Sequence, residues 1–188
     1  AACASAEKAT APGAAPSNDV RPTATTLVIS QIYGGGGNTN ATFNRDHVEL
    51  YNPTDAPISL AGLSLQYGSS TGNFGQAVVL PNVQIPAGRY FLVATTNAAQ
   101  TGAPLPADPD VSAGAPNLSA TTGKVVVART TANLGCGATA TPCSDAQRAL
   151  FVDLVGYGTA NLFEGAGPSP APSGNTVNST AIFRKNDG

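Results

Sequence analysis

Residues 46–67, DHVELYNPTDAPISLAGLSLQY, contain the alternation of apolar and polar side chains that decides the fold class. At the start of this stretch, Val48 and Leu50 fall on one face of an extended segment, and the side chains between and beside them fall on the other. The sequence NPTD at 52–55 is a turn signal. Alternation then resumes, with Gly62 as a predicted bulge or bend. The stretch therefore predicts two β-strands joined by a turn.

Short β-rich segments also recur along the rest of the chain, between turns rich in Gly, Pro and Asn. The further predicted strands are residues 27–33, 78–80, 83–85, 90–94, 124–129, 150–157 and 180–184. Only residues 144–149 predict a helical turn, with Ser144 as its cap. Long loops are expected at 95–122, 130–148 and 158–178. About eight strands separated by turns predict an antiparallel β-sandwich or barrel.

Composition excludes several classes of protein. Charged residues make up 11% of the 188, and nine basic against eleven acidic side chains leave a net charge of −2. Such a chain lacks the basic surface with which proteins bind nucleic acid, so no nucleic-acid partner is expected. Three cysteines and one histidine are too few for a four-thiolate zinc site.

The chain divides into two parts by composition. Residues 1–26 are rich in Ala, Pro, Ser and Thr and contain one Val as their single large aliphatic side chain. Such a segment buries too little apolar surface to offset the entropy lost on ordering, which predicts a disordered or extended N-terminal arm. Residues 27–188 carry the apolar pattern and are the predicted domain, with a possible truncation at its C-terminus.

Several segments of this second part together resemble the lamin-tail domain family, and most closely its bacterial secreted branch. They are VISQIYGGGG (28–37), DHVELYNPTDAPISLAGLSLQY (46–67), VQIPAGRYFLV (83–93), VDLVGYG (152–158) and AIFRK (181–185). The resemblance implies an immunoglobulin-like β-sandwich. Leu63 stands where the family usually has Trp, which implies a smaller core contact. Similar relatives usually continue past FRKNDG with a cysteine, so the chain either is a fragment or ends at Gly188.

The resemblance also implies a function, because bacterial members occur alone or beside secreted nucleases, phosphatases and other surface enzymes. We therefore expect a non-enzymatic module, extracellular or on a bacterial cell surface, that binds proteins and attaches to or stabilises an envelope assembly. The alternative is an accessory targeting domain of a larger secreted hydrolase such as a nuclease. A carbohydrate-binding module ranks last, since Trp is absent and all five tyrosines lie on predicted strands.

The cysteines give one predicted crosslink and one open question. Cys136 and Cys143 are separated by six residues, which fits a small structural disulfide ring and an oxidising compartment. Cys3 is left over, and two uses for it remain open. One is a lipid anchor, which would be the only link of the chain to a membrane, and the other is a disulfide to a cysteine absent from this sequence.

The remaining candidate site residues are few. Glu49 lies among apolar neighbours and needs a partner, for which Arg184 on the last strand is the candidate, so a structural ion pair is predicted. His47 is predicted to be a partly exposed strand residue, because no G-x-S-x-G motif or third ligand accompanies it. No cofactor is expected. The weak candidate for calcium is the pair Asp108 and Asp110.

Overall fold

The computed structural model describes residues 26–184 of the chain. The predicted arm, apart from Thr26, and Cys3 lie outside the described residues, so both remain predictions. Within the described part of the chain, no helix is long and apolar enough to span a bilayer.

Nearly all of the regular structure is β. The strands are β1 (Val28–Tyr33), β2 (His47–Tyr51), β3 (Ile58–Ser59), β4 (Ser64–Gly68), β5 (Gln76–Val79), β6 (Gln84–Ile85), β7 (Tyr90–Ala94), β8 (Val111–Ser112), β9 (Gly123–Ala128), β10 (Phe151–Tyr157) and β11 (Ile182–Phe183). A short helix α1 (Asp145–Arg148) and a 3₁₀ helix at Gly174–Thr176 are the helical elements among residues 26–184. The predicted all-β class is confirmed.

Two sheets form the sandwich. The larger sheet has the order β11-β1-β2-β7-β8, and the second has the order β10-β9-β4-β5. Strands β3 and β6 form a separate two-stranded sheet. All of these pairs are antiparallel except β7 with β8. The arrangement agrees with the immunoglobulin-like β-sandwich that the resemblance implied.

The core lies between the two sheets and follows from the alternation in each strand. Val48 and Leu50 of β2 are fully buried, as are Val125 and Val127 of β9 on the facing sheet. Leu63, at the position where Trp was expected, is also buried and belongs to this core. Burial of such side chains supplies most of the free energy that favours folding.

The long strand predicted after the first turn is interrupted. The chain forms β3 and β4 with a turn between them, in which the Leu63 N–H donates to the Leu60 carbonyl oxygen at 3.1 Å. Gly62 lies in this turn with φ +76°, a conformation that glycine adopts without steric cost. The two halves therefore join different sheets, and Gly62 marks a turn rather than a bulge.

The predicted helical turn and its cap are confirmed. α1 covers four residues, and the Ser144 hydroxyl accepts a hydrogen bond from the Gln147 N–H. The Gln147 side chain accepts one from the Ser144 N–H in return, which completes a capping box.

Candidate binding groove

A groove with a volume of about 400 Å³ opens between the two sheets, where β10 of one sheet faces β1 and β11 of the other. Residues of these three strands form most of its wall, and the loop from Glu164 to Ser169 closes one side. The groove exists because β10 and β11 are the edge strands of their sheets. Its wall does not include the calcium candidates Asp108 and Asp110, and no sequence motif pointed to it.

A cluster of three charged side chains occupies one end of the groove. The Arg184 Nη2 lies 2.8 and 2.7 Å from the two carboxylate oxygens of Asp153, and the Arg184 Nε donates to the Ile29 carbonyl oxygen at 3.0 Å. The Ile29 N–H also donates to Asp153, at 2.6 Å. Glu164 approaches the same Nη2 to 3.9 Å. Arg184 and Asp153 thus join β11, β1 and β10 across the open side of the sandwich.

The ion pair predicted between Glu49 and Arg184 was wrong. Glu49 instead accepts a hydrogen bond from the Ser30 hydroxyl at 2.7 Å. The pairing of strands explains the error, because Phe183, Gln31 and Glu49 lie side by side on the outer face of the large sheet. Arg184 is the residue after Phe183, so its side chain points to the opposite face, toward the other sheet.

Asp153 is the residue that sequence reasoning missed at this site. A signal for it was present in the sequence, since Asp153 is the one charged side chain in the apolar strand FVDLVGY (151–157). A carboxylate in such a strand becomes buried and needs a cation or hydrogen-bond donors as partners.

Glu164 differs from the other two members of the cluster in its exposure. Its side chain is 63% exposed, against 6% for Asp153 and 22% for Arg184. Partial burial and, secondly, the neighbouring Asp153 carboxylate raise the pKa of Glu164. The described residues of this cluster are two carboxylates, Asp153 and Glu164, and one cation, Arg184, which is engaged by Asp153.

Exposed aromatic side chains lie on the outer face of the large sheet, where Phe183 borders the groove. Phe183 is 66% exposed and Tyr90 is 58% exposed. Tyr90 packs against Tyr51 on the neighbouring strand, with ring centroids 4.6 Å apart. Tyr33 and Tyr157, by contrast, are buried in the core region of the sandwich.

The single histidine is buried, which corrects the prediction of partial exposure. His47 stacks on Tyr33 with centroids 5.1 Å apart, and Phe43 contacts it edge-on. Burial lowers the pKa of His47. Its Nδ1 forms no hydrogen bond with any residue in the described part of the chain. The side chain is therefore not linked to a hydroxyl nucleophile through that nitrogen.

Asp46 is a buried carboxylate at the same end of the sandwich. Its two oxygens accept hydrogen bonds from the Gly36 N–H at 2.8 Å and the Leu118 N–H at 2.9 Å. Burial raises the pKa of Asp46 to about 6, although the two N–H donors act in the opposite direction. The carboxylate fastens the glycine-rich segment after β1 to the loop that precedes β9.

Lys124 is a buried cation on β9. Its Nζ donates to the carbonyl oxygens of Ser69 and Ser70 and to Asn161 Oδ1, at 2.9, 3.2 and 2.8 Å. The Phe74 ring centroid lies 5.8 Å from the same nitrogen. Burial lowers the pKa of Lys124 to about 8. These contacts hold two loops against the strand.

The predicted disulfide between Cys136 and Cys143 is confirmed. Its ring packs beside Phe74, whose N–H donates to the Cys136 carbonyl oxygen at 2.8 Å. Asn161 links the ring to Lys124, because its Nδ2 donates to the Gly137 carbonyl oxygen at 3.0 Å. The crosslink thus stabilises a satellite core next to the main one.

The calcium candidates do not come together as a site. Asp110 accepts a hydrogen bond from the Leu92 N–H at 2.7 Å, which is a structural contact. Residues 26–184 contain no group of three or more His, Cys, Asp or Glu side chains that could hold a metal ion. Asp108 and Asp110 therefore lack the third ligand that calcium would need.

The comparison with known proteins agrees with this architecture. Residues 21–159, well over half of the chain, match the family described as Lamin Tail Domain. No curated protein matches the chain. Lamin tail domains are immunoglobulin-like, are generally non-catalytic and often bind other proteins. The match ends before β11, so Glu164 and Arg184 lie beyond the matched residues. The chain belongs to the lamin tail domain family.

Proposed function

We propose that this domain is a non-enzymatic protein-binding module of the bacterial cell surface, where it attaches to or stabilises an assembly of the envelope. The observation that carries the proposal is the groove between β10 and β11 with the exposed Phe183 beside it. Aromatic side chains are enriched in protein–protein interfaces, and a concave surface beside one gives the side chains of a partner a place to pack.

The location outside the cell is supported by the Cys136–Cys143 disulfide. Disulfides persist in oxidising compartments and are rare in the cytosol of mesophiles. The resemblance of the sequence to the bacterial secreted branch of the family also supports a location on the bacterial cell surface. A test of the location is digestion of intact host cells with an external protease, which should cleave the domain without lysis.

Binding is tested by crosslinking on intact host cells with the full chain. Replacement Phe183→Ala should reduce the yield of crosslinked partner by about fivefold or more, since a buried aromatic anchor contributes at least ~1 kcal/mol. The matched control is Val79→Ala, because Val79 is 55% exposed but lies on β5 of the other sheet. Equal yields from both variants, or no crosslinked partner for the unchanged protein, would contradict the proposal.

The alternative, an accessory targeting domain of a larger secreted hydrolase, makes a different prediction. The intact mass of the protein from its host would then exceed the 18.7 kDa of this sequence by tens of kilodaltons. A mass close to that of the sequence, allowing for a short extension or a lipid, would favour the stand-alone module.

A further inference from the structure

The hydrogen bonds of Ser169 show which main-chain groups of β10 point away from β9. The Ser169 N–H donates to the Gly156 carbonyl oxygen at 2.7 Å, and the Gly158 N–H donates to the Ser169 carbonyl oxygen at 2.9 Å. The N–H and C=O groups of residues 156 and 158 therefore point away from β9. Main-chain groups in an antiparallel pair alternate in direction from residue to residue. Leu154 therefore also directs its N–H and C=O away from β9, toward the groove that it lines.

Nothing in the described part of the chain pairs with these groups of Leu154. Outside the regular strand pairs, neither its N–H nor its C=O takes part in a hydrogen bond among residues 26–184. The contacts on either side of Leu154 are occupied. Before it, the Asp153 side chain binds Ile29 and Arg184, and after it, Ser169 forms hydrogen bonds with Gly156 and Gly158.

The walls of the groove suit a polypeptide backbone with apolar side chains. Val155 and Ile182 supply apolar surface, and the exposed Phe183 lies at the margin of the groove. Gly165 and Gly167 line the opposite side, and a Cβ on either would have no atom within 4 Å. These two glycines leave room for a main chain to approach the edge of β10.

The charge of the groove selects among such segments. Arg184 is paired with Asp153 through both carboxylate oxygens, whereas Glu164 is 3.9 Å from the guanidinium and mostly exposed. Among residues 26–184, Glu164 is therefore left without a cation of its own in the groove. A lysine or arginine side chain on the bound segment would pair with it.

We propose that the groove binds an extended segment of a partner protein that carries a lysine or arginine, with its main chain paired to Leu154 and its cation beside Glu164. This inference rests on the proposed function, because it names the chemistry of the partner at the same groove. Addition of a strand to a free sheet edge is a recurrent way in which domains bind peptides.

The test uses the full chain, labelled with ¹⁵N, and three capped pentapeptides as probes. The first has a central lysine flanked by valines, the second has glutamate in place of the lysine, and the third is the lysine peptide with methylated main-chain nitrogens. The lysine peptide should shift the amide signals of Leu154, Gly156 and Phe183. It should bind about fivefold more tightly than the glutamate peptide at low salt, since an exposed ion pair contributes up to about 1 kcal/mol.

Two variants make the test specific. In Glu164→Gln the lysine and glutamate peptides should bind about equally. In Asp55→Asn, which changes an exposed acidic residue away from the groove, the fivefold preference for the lysine peptide should remain. The N-methylated peptide should bind more weakly than its parent because it cannot donate to the strand edge. Signals that shift only elsewhere, equal binding of both charged peptides, or no shift at millimolar peptide would overturn the inference.

The outcomes also separate this inference from the function on which it rests. If Phe183→Ala abolishes crosslinking on cells but no peptide shifts the Leu154 signal, protein binding stands and strand addition is overturned. If Phe183→Ala leaves crosslinking unchanged, the proposed function fails at this groove, whatever the peptides do.

Discussion

Arg184 and Asp153 form a two-oxygen ion pair, with the guanidinium Nη2 2.8 and 2.7 Å from the carboxylate oxygens, between the last strand of one sheet and the edge strand of the other. The pair closes the open side of the sandwich at one end and leaves the groove open at the other. The ion pair therefore joins the two sheets beside the groove that we propose as a binding site. Removing one partner leaves a mostly buried charge uncompensated, which is more costly than the pair itself is favourable.

A double-mutant cycle checks this pair. Arg184→Ala and Asp153→Asn should each lower the free energy of unfolding, and together they should show a coupling energy of about 1 to 3 kcal/mol. The matched cycle pairs Arg184→Ala with Glu49→Gln and should give a coupling near zero, because Glu49 binds Ser30 on the other face. Denaturant unfolding measures both cycles, and a larger coupling with Glu49 would contradict the assignment.

Asp46 should make stability depend on pH. Burial raises the pKa of Asp46 to about 6 from 3.8, so the folded protein retains a proton that the unfolded chain releases in this window. The contribution of this group to stability is therefore present at low pH and is lost as the pH rises through about 6. The free energy of unfolding of the unchanged protein, relative to Asp46→Asn, should fall by roughly 2 to 3 kcal/mol from about pH 4 to pH 7. A difference that stays constant or rises would contradict this.

Lys124 should be important for stability although it lacks an acidic partner among residues 26–184. Lys124→Ala leaves a cavity and removes the donor from three oxygens, so the free energy of unfolding should fall by about 3 kcal/mol. Arg129→Ala is the control, since Arg129 is an exposed cation just after the same strand and should change stability by less than about 0.5 kcal/mol. Thermal or urea unfolding of both variants measures the difference. Equal losses of stability would argue that the three hydrogen bonds of Lys124 do not stabilise the fold.

The disulfide should stabilise the satellite core. A disulfide between residues seven apart in sequence lowers the conformational entropy of the unfolded chain, which stabilises the folded protein by about 2 kcal/mol. The variant with Cys136→Ala and Cys143→Ala should lose about that amount, and hydrogen exchange at the Phe74 amide should accelerate because its acceptor is the Cys136 carbonyl oxygen. Unchanged exchange at Phe74 would show that the ring does not order this contact.

Gly36 should tolerate no side chain. A Cβ there would overlap the backbone of Arg45 and Asp46, so Gly36→Ala should cost about 3 kcal/mol or more. Gly167→Ala is the control, because a Cβ at Gly167 meets nothing within 4 Å. Its stability should stay within about 1 kcal/mol of the unchanged protein. Thermal unfolding compares the two, and a small loss for Gly36→Ala would mean that the loop can move away.

Local features of the sequence predicted most of the strands. The alternation in residues 47–51 gave β2 with its bounds as observed, and the Ser144 cap gave α1. The bounds of a strand were harder to predict where they depend on which other strand it pairs with. The alternation from Ile58 to Tyr67 changes phase at Gly62, which predicted a bulge or bend, but only the pairing of the two halves with different strands shows that the chain turns there.

The candidate site was less accessible to sequence reasoning, because every part of it depends on which strands lie at the edges. Leu154 is an ordinary apolar strand residue until the order of strands leaves its edge unpaired. Phe183 and Arg184 are neighbours in sequence but belong to opposite faces of the sheet. No local pattern carries that information.

The sequence by itself determined the all-β class, the disulfide and the short capped helix, because each arises from residues close together along the chain or from the period-two pattern within one strand. Only the tertiary structure decided the partner of Arg184, the burial of His47 and the existence of the groove. Residues 29, 153 and 184 meet there from three separate strands, and the contact distances between them are set by how two twisted sheets pack, which no single segment encodes.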